Sequence, residues 1–533
     1  MNNQVKTITI IGGGTAGWMT AAYLNKVFGE SIDIRLVESP TVSTIGVGEA
    51  TFSTIKLFFD YLELDESEWM PECSGSYKLA IKFVNWNREG RHFYHPFQRH
   101  EIVDGFSIGE WWLKLKDNLG SYDYSCFTVP YLCDTQRSPR YLDGRVFDTK
   151  VEDYFRPEKA FKKNMLSNLT IQYPYAYHFN AGQLATYLQK LAVRKGVTHI
   201  KDDVLDVKLT DDGSIGAVVT KEHGEIGGDL FIDCTGFRSL LLGKALNEPF
   251  ISYSDSLLCD SAIALQVPRN IEKQGMNPYT TATALSAGWV WNIPLYERDG
   301  TGYVYSSAFT TAEEAEREFR KHLGSVADKC NANHIRMRIG RSRNAWVKNC
   351  VAIGLSNAFV EPLESTGIFF IQHGIEELVA AFPDRTIDPA LVKQYNKARA
   401  HCVDGVREFL TIHYCASTRE DTPFWKATKK DIKLSDELKE RMEQWKMHFP
   451  NSRNINQHYH GFEAYSYSVM LEGLGYLPQR SLPVLDHVND SRARKTFGEI
   501  SERANFLTAT LPSVYEYLSA VRTANRRLEL ETQ

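Results

Sequence analysis

The chain has 533 residues, of which 43% are hydrophobic and 24% charged, with a formal net charge of −5. That length buries a substantial core, and the charge balance offers neither the basic surplus of a nucleic-acid binder nor an acidic solvating tail. No apolar run reaches the ~18 residues of a membrane span, so no membrane partner is expected. Nine cysteines lie between Cys73 and Cys415 without a CxxC pair, which reads as reduced thiols rather than a zinc or disulfide framework. The N-terminal residues run straight into a strand-like segment and leave no room for a signal peptide, so a cytoplasmic protein is expected.

The first fifty residues alternate apolar run, glycine turn, helical pattern and apolar run, which predicts a strand–helix–strand unit ending near Glu38. Its turn, GGGTAG, sets Gly12, Gly14 and Gly17 in the spacing GxGxxG, with Thr15 and Ala16 before the last glycine. The first glycine permits a tight turn, the second a close approach of pyrophosphate, and the third close packing of helix on strand. Glu38 follows where a carboxylate accepts ribose hydroxyls, favouring FAD or NAD over a phosphorylated nicotinamide. GVGEAT (46–51), with Gly48, Glu49 and Ala50, supplies a second loop, and DCTGF (233–237) ends a later strand in small residues. Together they favour a long cofactor bridging several loops, and so FAD.

Further along, helices are predicted at 181–195, 312–323 and 367–382, and strands at 227–236 and 349–355. GWVWNIP (288–294) puts Trp289 and Trp291 on one face of a strand, a large flat wall of two indoles; an ordinary core face is the plain alternative. VEPLESTGIFF (360–370) sets Thr366 and Gly367 at a helix N-terminus, where N–H groups and the dipole make a small anion site with Glu364 just outside it. An acidic helix entry accounts for that pattern equally well. From about 385 the pattern is mostly helical, with Ser435 as an N-cap and Leu438, Met442 and Trp445 on one stripe. No repeat or low-complexity linker separates domains, so they are expected to interleave.

GGGTAGW, GVGEAT, GWVWNIP and VEPLESTG, in this order, resemble the flavin-dependent tryptophan halogenases, and the likeness runs from Ile8 to LPSVYEYL near residue 515. The resemblance implies an α/β fold (α+β overall): a Rossmann-like FAD-binding domain of the flavin monooxygenase type over 1–415. That domain is discontinuous, with an interleaved substrate-contacting insertion at about 70–175, and a mainly helical substrate-binding region follows over 416–533. The resemblance also implies a reaction. FAD reduced by a separate NAD(P)H-dependent flavin reductase meets O2 and gives a flavin hydroperoxide, which oxidises chloride or bromide to hypohalous acid. The acid travels to bound L-tryptophan, where a lysine holds the electrophilic halogen.

In that reading Lys78 of SGSYKLAIKFVNW (74–86) matches the halogen-holding lysine, while Lys82 is left as a structural or solvated cation. An apolar, aromatic setting makes such a lysine a better nucleophile. Glu364 matches the family glutamate that polarises the oxidant or takes up the ring proton. Trp289 and Trp291 keep the substrate off the flavin, and Thr366 and Gly367 match the chloride-contacting pair. Leu355 and Ile368 join Thr15, Ala16, the glycines, Glu38, Glu49 and Ala50 along the cofactor. His95 and Phe97 match residues that stack on the indole. Tyr459, Glu463 and Tyr467 of HYHGFEAYSY (458–467) match those at the amino-acid end, with Ser365 between the two chambers.

The chain departs from many relatives in having His458–Tyr459 for two adjacent tyrosines, and from some in having Tyr467 for a tryptophan. The histidines of these stretches show no zinc-like grouping, so no metal is expected. AIGLSNAF lacks the Gly-Asp of many flavin hydroxylases, and no second GxGxxG serves a nicotinamide. FSTIKLFFDYL, PYAYHF and TGIFFIQHGIE resemble the branch acting at indole carbons 6 and 5 more than carbon 7. The expectation is therefore a homodimeric tryptophan halogenase acting at carbon 6, in a family that serves antibiotic and other secondary metabolism. The alternatives are a halogenase of another aromatic substrate, a flavin monooxygenase and a flavin-binding protein without turnover.

Overall fold

The computed structural model describes residues 3–42, 49–148 and 173–532. Gly48 lies outside them, and only the backbone of Glu49 is described. By packing, the chain divides into two compact units: Met1–Cys73, Phe179–Ser254 and Met337–Asp404 form one, and Ser74–His178, Asp255–Arg336 and Gly405–Gln533 the other.

In the first unit, strand Thr7–Ile11 pairs in parallel with Asp33–Glu38 on one side and Leu230–Asp233 on the other, Ile8 lying opposite Ile34 and Leu230. Thr198–Lys201 and Cys350–Ala352 extend this order in parallel, and Trp346–Val347 closes the six-stranded sheet in antiparallel sense. The inner strands Thr7–Ile11 and Leu230–Asp233 and the neighbouring Cys350–Ala352 are buried almost throughout and mostly apolar, as strands covered on both faces are. The edge strand Thr198–Lys201 is half-exposed and polar. Helix Thr15–Phe28 packs against helices Ala181–Arg194 and Thr366–Ala380. The stretch expected as one strand over 227–236 is two: Gly224–Gly227 belongs to a separate antiparallel sheet, and Leu230–Asp233 to the parallel one. Between them a Cβ on Gly228 would lie 2.8 Å from the Thr9 hydroxyl, so a side chain would obstruct this crossing. Asp233 is wholly buried and accepts from the Thr235 hydroxyl at 2.6 Å and from the N–H groups of Thr235, Leu241 and Leu242 at 3.0, 2.8 and 2.9 Å. Those four bonds shape the DCTGF turn, although burial still raises the carboxyl pKa.

The second unit is built on a seven-stranded sheet in the order Asn333–Arg336, Ser261–Pro268, Arg298–Tyr305, Gly288–Pro294, Tyr279–Ala284, Ala80–Val84, His92–Pro96. Its pairings are antiparallel except for Tyr279–Ala284 beside Ala80–Val84. Ile263, Leu265, Val290 and Tyr303 cluster with Ala315 and Phe319 of helix Ala312–Leu323. That helix starts in a capping box, Thr311 and Glu314 each accepting from the other's backbone N–H. The tail is helical at Pro423–Lys430, Asp436–Trp445, Ala464–Leu474, Ser491–Thr510 and Val514–Thr532. Ser435 caps the second of these through Leu438 N–H at 3.1 Å, and Leu438 and Trp445 are buried as their spacing predicts. The mixed α/β fold with a helical C-terminal region is the expected one. No helix of the described residues is long and apolar enough to cross a membrane.

One buried acid in the first unit holds a loop to a helix. Gln372 donates to the Glu376 carboxylate at 2.9 Å and to Thr54 O at 3.1 Å, and accepts from the Thr54 hydroxyl at 3.2 Å. Burial pushes the Glu376 carboxyl up from 4.5 to about 7, outweighing the Gln372 bond that lowers it. A raised folded pKa stabilises the fold fully below the unfolded value and is lost as pH rises through the folded one. The unfolding free energy of E376Q relative to the unsubstituted chain should therefore move in the variant's favour from about pH 5 to about pH 7 and level off above. Denaturant unfolding across that range checks it; a difference independent of pH would refute it.

Candidate active site

The first unit carries the glycine-rich loop. Strand Thr7–Ile11 ends at Gly12, whose φ is +115° and whose N–H donates to Val37 O at 2.9 Å. A Cβ at Gly12 would lie 2.3 Å from Cys234 O, and one at Gly17 only 1.8 Å from Gly12 O, so loop, helix and neighbouring strand close on one another. Gly14 is the N-cap of helix Thr15–Phe28 and supplies no side-chain cap. Ala16, in its first turn, meets the Gly354 turn: a Cβ on Gly354, where φ is +79°, would come within 2.9 Å of the Ala16 methyl. Leu355 follows in the same turn, and Ala50 is buried.

A Cβ on Gly13 would meet Glu38 Cδ at 2.2 Å, so the Glu38 side chain lies across the loop. Glu38 Oε2 is 2.8 Å from His199 Nε2, and His199 Nδ1 is 2.9 Å from Gln189 Nε2. The Gln189 amide nitrogen can only donate, which makes Nδ1 the acceptor and leaves the Nε2 proton for Glu38. The edge of the Trp18–His199 ring pair packs at 4.9 Å and fixes the imidazole further. Neither Gln189 nor His199 stood out in the sequence, because a strand histidine and a helix glutamine carry no motif. These residues fit a dinucleotide: a loop with no room for side chains, a helix start without a side-chain cap, and a carboxylate aimed along the loop.

The VEPLESTG segment folds as a 3-10 turn, Pro362–Glu364, then Ser365 at φ 61°, ψ 37°, then helix Thr366–Ala380. A serine in the left-handed region costs roughly 1 kcal/mol and turns the chain sharply into the helix. Glu364, Ser365, Thr366 and Ile368 are buried, while a Cβ on Gly367 would meet no atom within 4 Å. Open space therefore lies beside the first turn of a 15-residue helix.

The second unit carries Lys78. Strand Ser76–Lys78 pairs antiparallel with Ala176–Phe179, Ser76 opposite His178 and Lys78 opposite Ala176. Lys78 has no exposed surface, and its Nζ lies 4.9 Å from the Phe97 ring centroid. Phe97 N–H donates to Leu79 O at 3.0 Å, and Ala80 stands opposite Pro96, which fixes Phe97 beside the lysine. The Ser76 hydroxyl donates to Pro294 O at 2.8 Å, tying this strand to the end of GWVWNIP. His178 lies 3.3 Å from the Ser76 hydroxyl and 2.9 Å from that of Thr280. Burial first, then the charges of Lys78 and Arg269, hold it well below the usual imidazole range and so neutral. Lys82 stands apart, 19% exposed in its side chain, over the rings of Tyr94 at 5.0 Å and Tyr279 at 5.5 Å.

Trp289 and Trp291 share a strand face and are buried, with centroids 6.4 Å apart. Their planes meet at 59°, so the wall is angled rather than flat. The reason is local: Trp291 pairs with Gly302, and a Cβ there would lie 2.1 Å from the indole Cη2, so the ring lies down over the neighbouring strand.

His95 is buried, with the rings of Phe409, Phe462 and Tyr465 at 6.1, 6.3 and 6.4 Å. Phe409 stacks on Phe462 at 4.0 Å and meets Tyr467 edge-on at 4.8 Å. Tyr467 is fully buried, its hydroxyl 2.7 Å from His460 Nε2, and burial pushes that histidine down to about 4. Tyr459 is 36% exposed. Glu463 is bound by Arg99, which donates from Nε at 2.9 Å and again from Nη2. Phe409, Phe462, Tyr465, His460 and Arg99 were missed from sequence, where single aromatic or charged residues give no pattern. Among the described residues no group of three or more His, Cys, Asp or Glu is arranged to hold a metal ion.

A family model described as tryptophan halogenase matches residues 7–490. The tryptophan 6-halogenase of Streptomyces toxytricini is 52% identical over 514 residues, covering 96% of this chain and 98% of that protein. The 7-chloro-L-tryptophan 6-halogenase of Kutzneria sp. (strain 744) is 51% identical over 517 residues, covering 97% and 99%. Among solved structures, a tryptophan C-6 flavin-dependent chlorinase from taromycin biosynthesis is similar with a TM-score of 0.92 and 49% identity, over 97% of this chain and 100% of that one.

The seating of Trp291 on Gly302 has a measurable consequence. Gly302→Ala should displace the indole and cost about 1–3 kcal/mol of stability. Chemical denaturation checks this, and an unchanged midpoint would mean that the ring has room to spare.

Proposed function

We propose that this chain, which belongs to the tryptophan halogenase family, replaces the hydrogen on indole carbon 6 of free L-tryptophan with chlorine or bromine. Its co-substrates are halide, O2 and FAD reduced by a separate NAD(P)H-dependent flavin reductase. The observation that carries the reading is a wholly buried Lys78 beside an aromatic ring, in a chain half identical to a tryptophan 6-halogenase. We place the reaction in the cytoplasm and the working form as a homodimer.

Reduced FAD, when bound, supplies the electrons with which O2 becomes an oxidant for halide. Gly12, Gly14, Thr15, Ala16 and Gly17 receive its pyrophosphate on the helix start, and Glu38 its ribose. Ala50, Leu355 and Ile368 would border the rest of it. The cofactor domain is 1–415, and the insertion at about 70–175 works with 416–533 on the substrate. Thr366 and Gly367 hold halide: N–H groups at the positive end of the helix suit an anion, and the open space at Gly367 supports this. Trp289 and Trp291 keep the substrate ring off the flavin, so that only a small neutral oxidant reaches the substrate.

Lys78 Nζ either holds hypohalous acid by a hydrogen bond or takes its halogen as an N–halogen bond with loss of water. The indole ring, flanked by His95 and Phe97, attacks that halogen. The O–halogen bond breaks with hydroxide leaving in the first case, or the N–halogen bond breaks and returns the amine in the second. Glu364 then accepts the ring proton and aromaticity returns. Ser365, Tyr459, Glu463 and Tyr467 contact the rest of the substrate, Glu463 through its ammonium group. A second reading, a tryptophan already chlorinated at carbon 7, is favoured by the similarity to the Kutzneria enzyme.

Mass spectrometry of a reaction with flavin reductase, chloride and L-tryptophan should show a monochlorinated product, and NMR should locate the chlorine at carbon 6. Product only from 7-chlorotryptophan would select the second reading. Lys78→Ala should abolish product while reduced FAD is still reoxidised by O2; retained halogenation would remove Lys78 from the mechanism. Glu364→Gln should slow turnover by about 10²-fold or more with tryptophan binding kept, as loss of a positioned base does. An undiminished rate would make Glu364 a helix-entry acid only.

A further inference from the structure

We propose that Arg99 reads the substrate's carboxylate, acting with Glu463 as a charge pair that selects the zwitterionic head of a free amino acid; this rests on the tryptophan-halogenating function proposed above. Glu463 is the N-cap residue of helix Ala464–Leu474, yet its side chain makes no cap bond. Instead it turns to Arg99, 364 positions away in the chain, and is bound by two parallel N–H donors. The two side chains are 42% and 45% exposed, and pairs so exposed add little to stability. Stability alone therefore gives a weak reason for a two-pronged pair at this place.

The surroundings give a better one. Phe462 and Tyr465 flank Glu463 in sequence, and both belong to the aromatic group around buried His95. Phe97, two residues before Arg99, is the ring beside Lys78, and His100, the residue after it, packs 5.9 Å from Tyr465. Both charges thus lie within the segments that supply the aromatic group. An aromatic ring with a dipolar head matches that arrangement. The carboxylate of Glu463 can accept from an ammonium as well as from Arg99, because each oxygen has two acceptor sites. Nε and Nη2 serve Glu463, and the other edge of the guanidinium, Nη1 with the second Nη2 proton, suits a second carboxylate. Glu463 alone would take an amine with or without a carboxylate. Arg99 adds a contact that only a ligand with a carboxylate can make, and so selects the amino acid over its decarboxylated amine.

Calorimetric binding of L-tryptophan, tryptamine and indole-3-propionate to the full chain tests this, with thermal unfolding of each variant alongside. R99Q should weaken L-tryptophan and indole-3-propionate about tenfold or more, as loss of a charge-assisted bond does, and leave tryptamine unchanged. R99K, which keeps the charge but not the fork, should fall between, and it carries the same comparison if R99Q does not fold. Equal losses for all three ligands, or none, would overturn the assignment and leave Arg99 as a support for Glu463. Failure of the unsubstituted chain to bind any of the three would instead overturn the substrate reading itself.

Discussion

Taking a lysine head group out of water costs several kcal/mol unless nearby groups offset the lost hydration. Lys78 has no exposed surface, so its surroundings must do this. The Phe97 ring at 4.9 Å offers its negative face, and the neighbouring histidine, His178, is held neutral rather than adding a second charge. That histidine is fixed between two hydroxyls, and one of them, Ser76, is bonded in turn to Pro294 at the end of the tryptophan strand. The lysine, its aromatic neighbour and the indole pair are therefore one bonded construction, and a small shift of one strand would be felt by the others.

The glycine-rich loop shows the same economy in the first unit. Steric contact makes three of its glycines obligatory, since the nearest atoms to an added Cβ lie 2.3 Å or closer at Gly12, Gly13 and Gly17. At Gly13 the obstructing group is Glu38 itself, so the room that a missing side chain leaves is filled by the acid. His199 and Gln189 then hold that acid by a chain of directed hydrogen bonds whose proton positions follow from the amide donor at one end. A carboxylate oriented in advance loses less freedom when it meets a ribose than one that must be ordered on binding.

Aromatic packing serves two purposes in the second unit. Around His95 the rings of Phe409, Phe462 and Tyr465 make a chamber wall, while Tyr467, one turn along the helix, is fully buried and bonded to His460. The same sequence stretch, 458–467, thus holds the half-exposed Glu463, the exposed Tyr459 and the buried Tyr467 with its hydroxyl on His460. Tyr459 and Glu463 precede helix Ala464–Leu474, whereas Tyr467 lies inside it on its buried side, and this separates the environments.

The sequence by itself determined whatever depends on neighbours in the chain. The strand–loop–helix around Gly12, Gly14 and Gly17, the helix beginning at Thr366, the strand of Trp289 and Trp291 and the cap at Ser435 follow from local sterics, dipoles and periodicity. Motif resemblance singled out Lys78 and Glu364, which no local rule distinguishes from other lysines and glutamates. Only the tertiary structure decided which distant residues meet. The Glu38–His199–Gln189 relay, the seating of Trp291 on Gly302, the ring of Phe97 beside Lys78 and the pairing of Arg99 with Glu463 join positions 10 to 364 residues apart. Such contacts are set by sheet register and side-chain packing, and a register shift of one residue would turn the strand members among them, Glu38, His199, Lys78 and Trp291, to the opposite face.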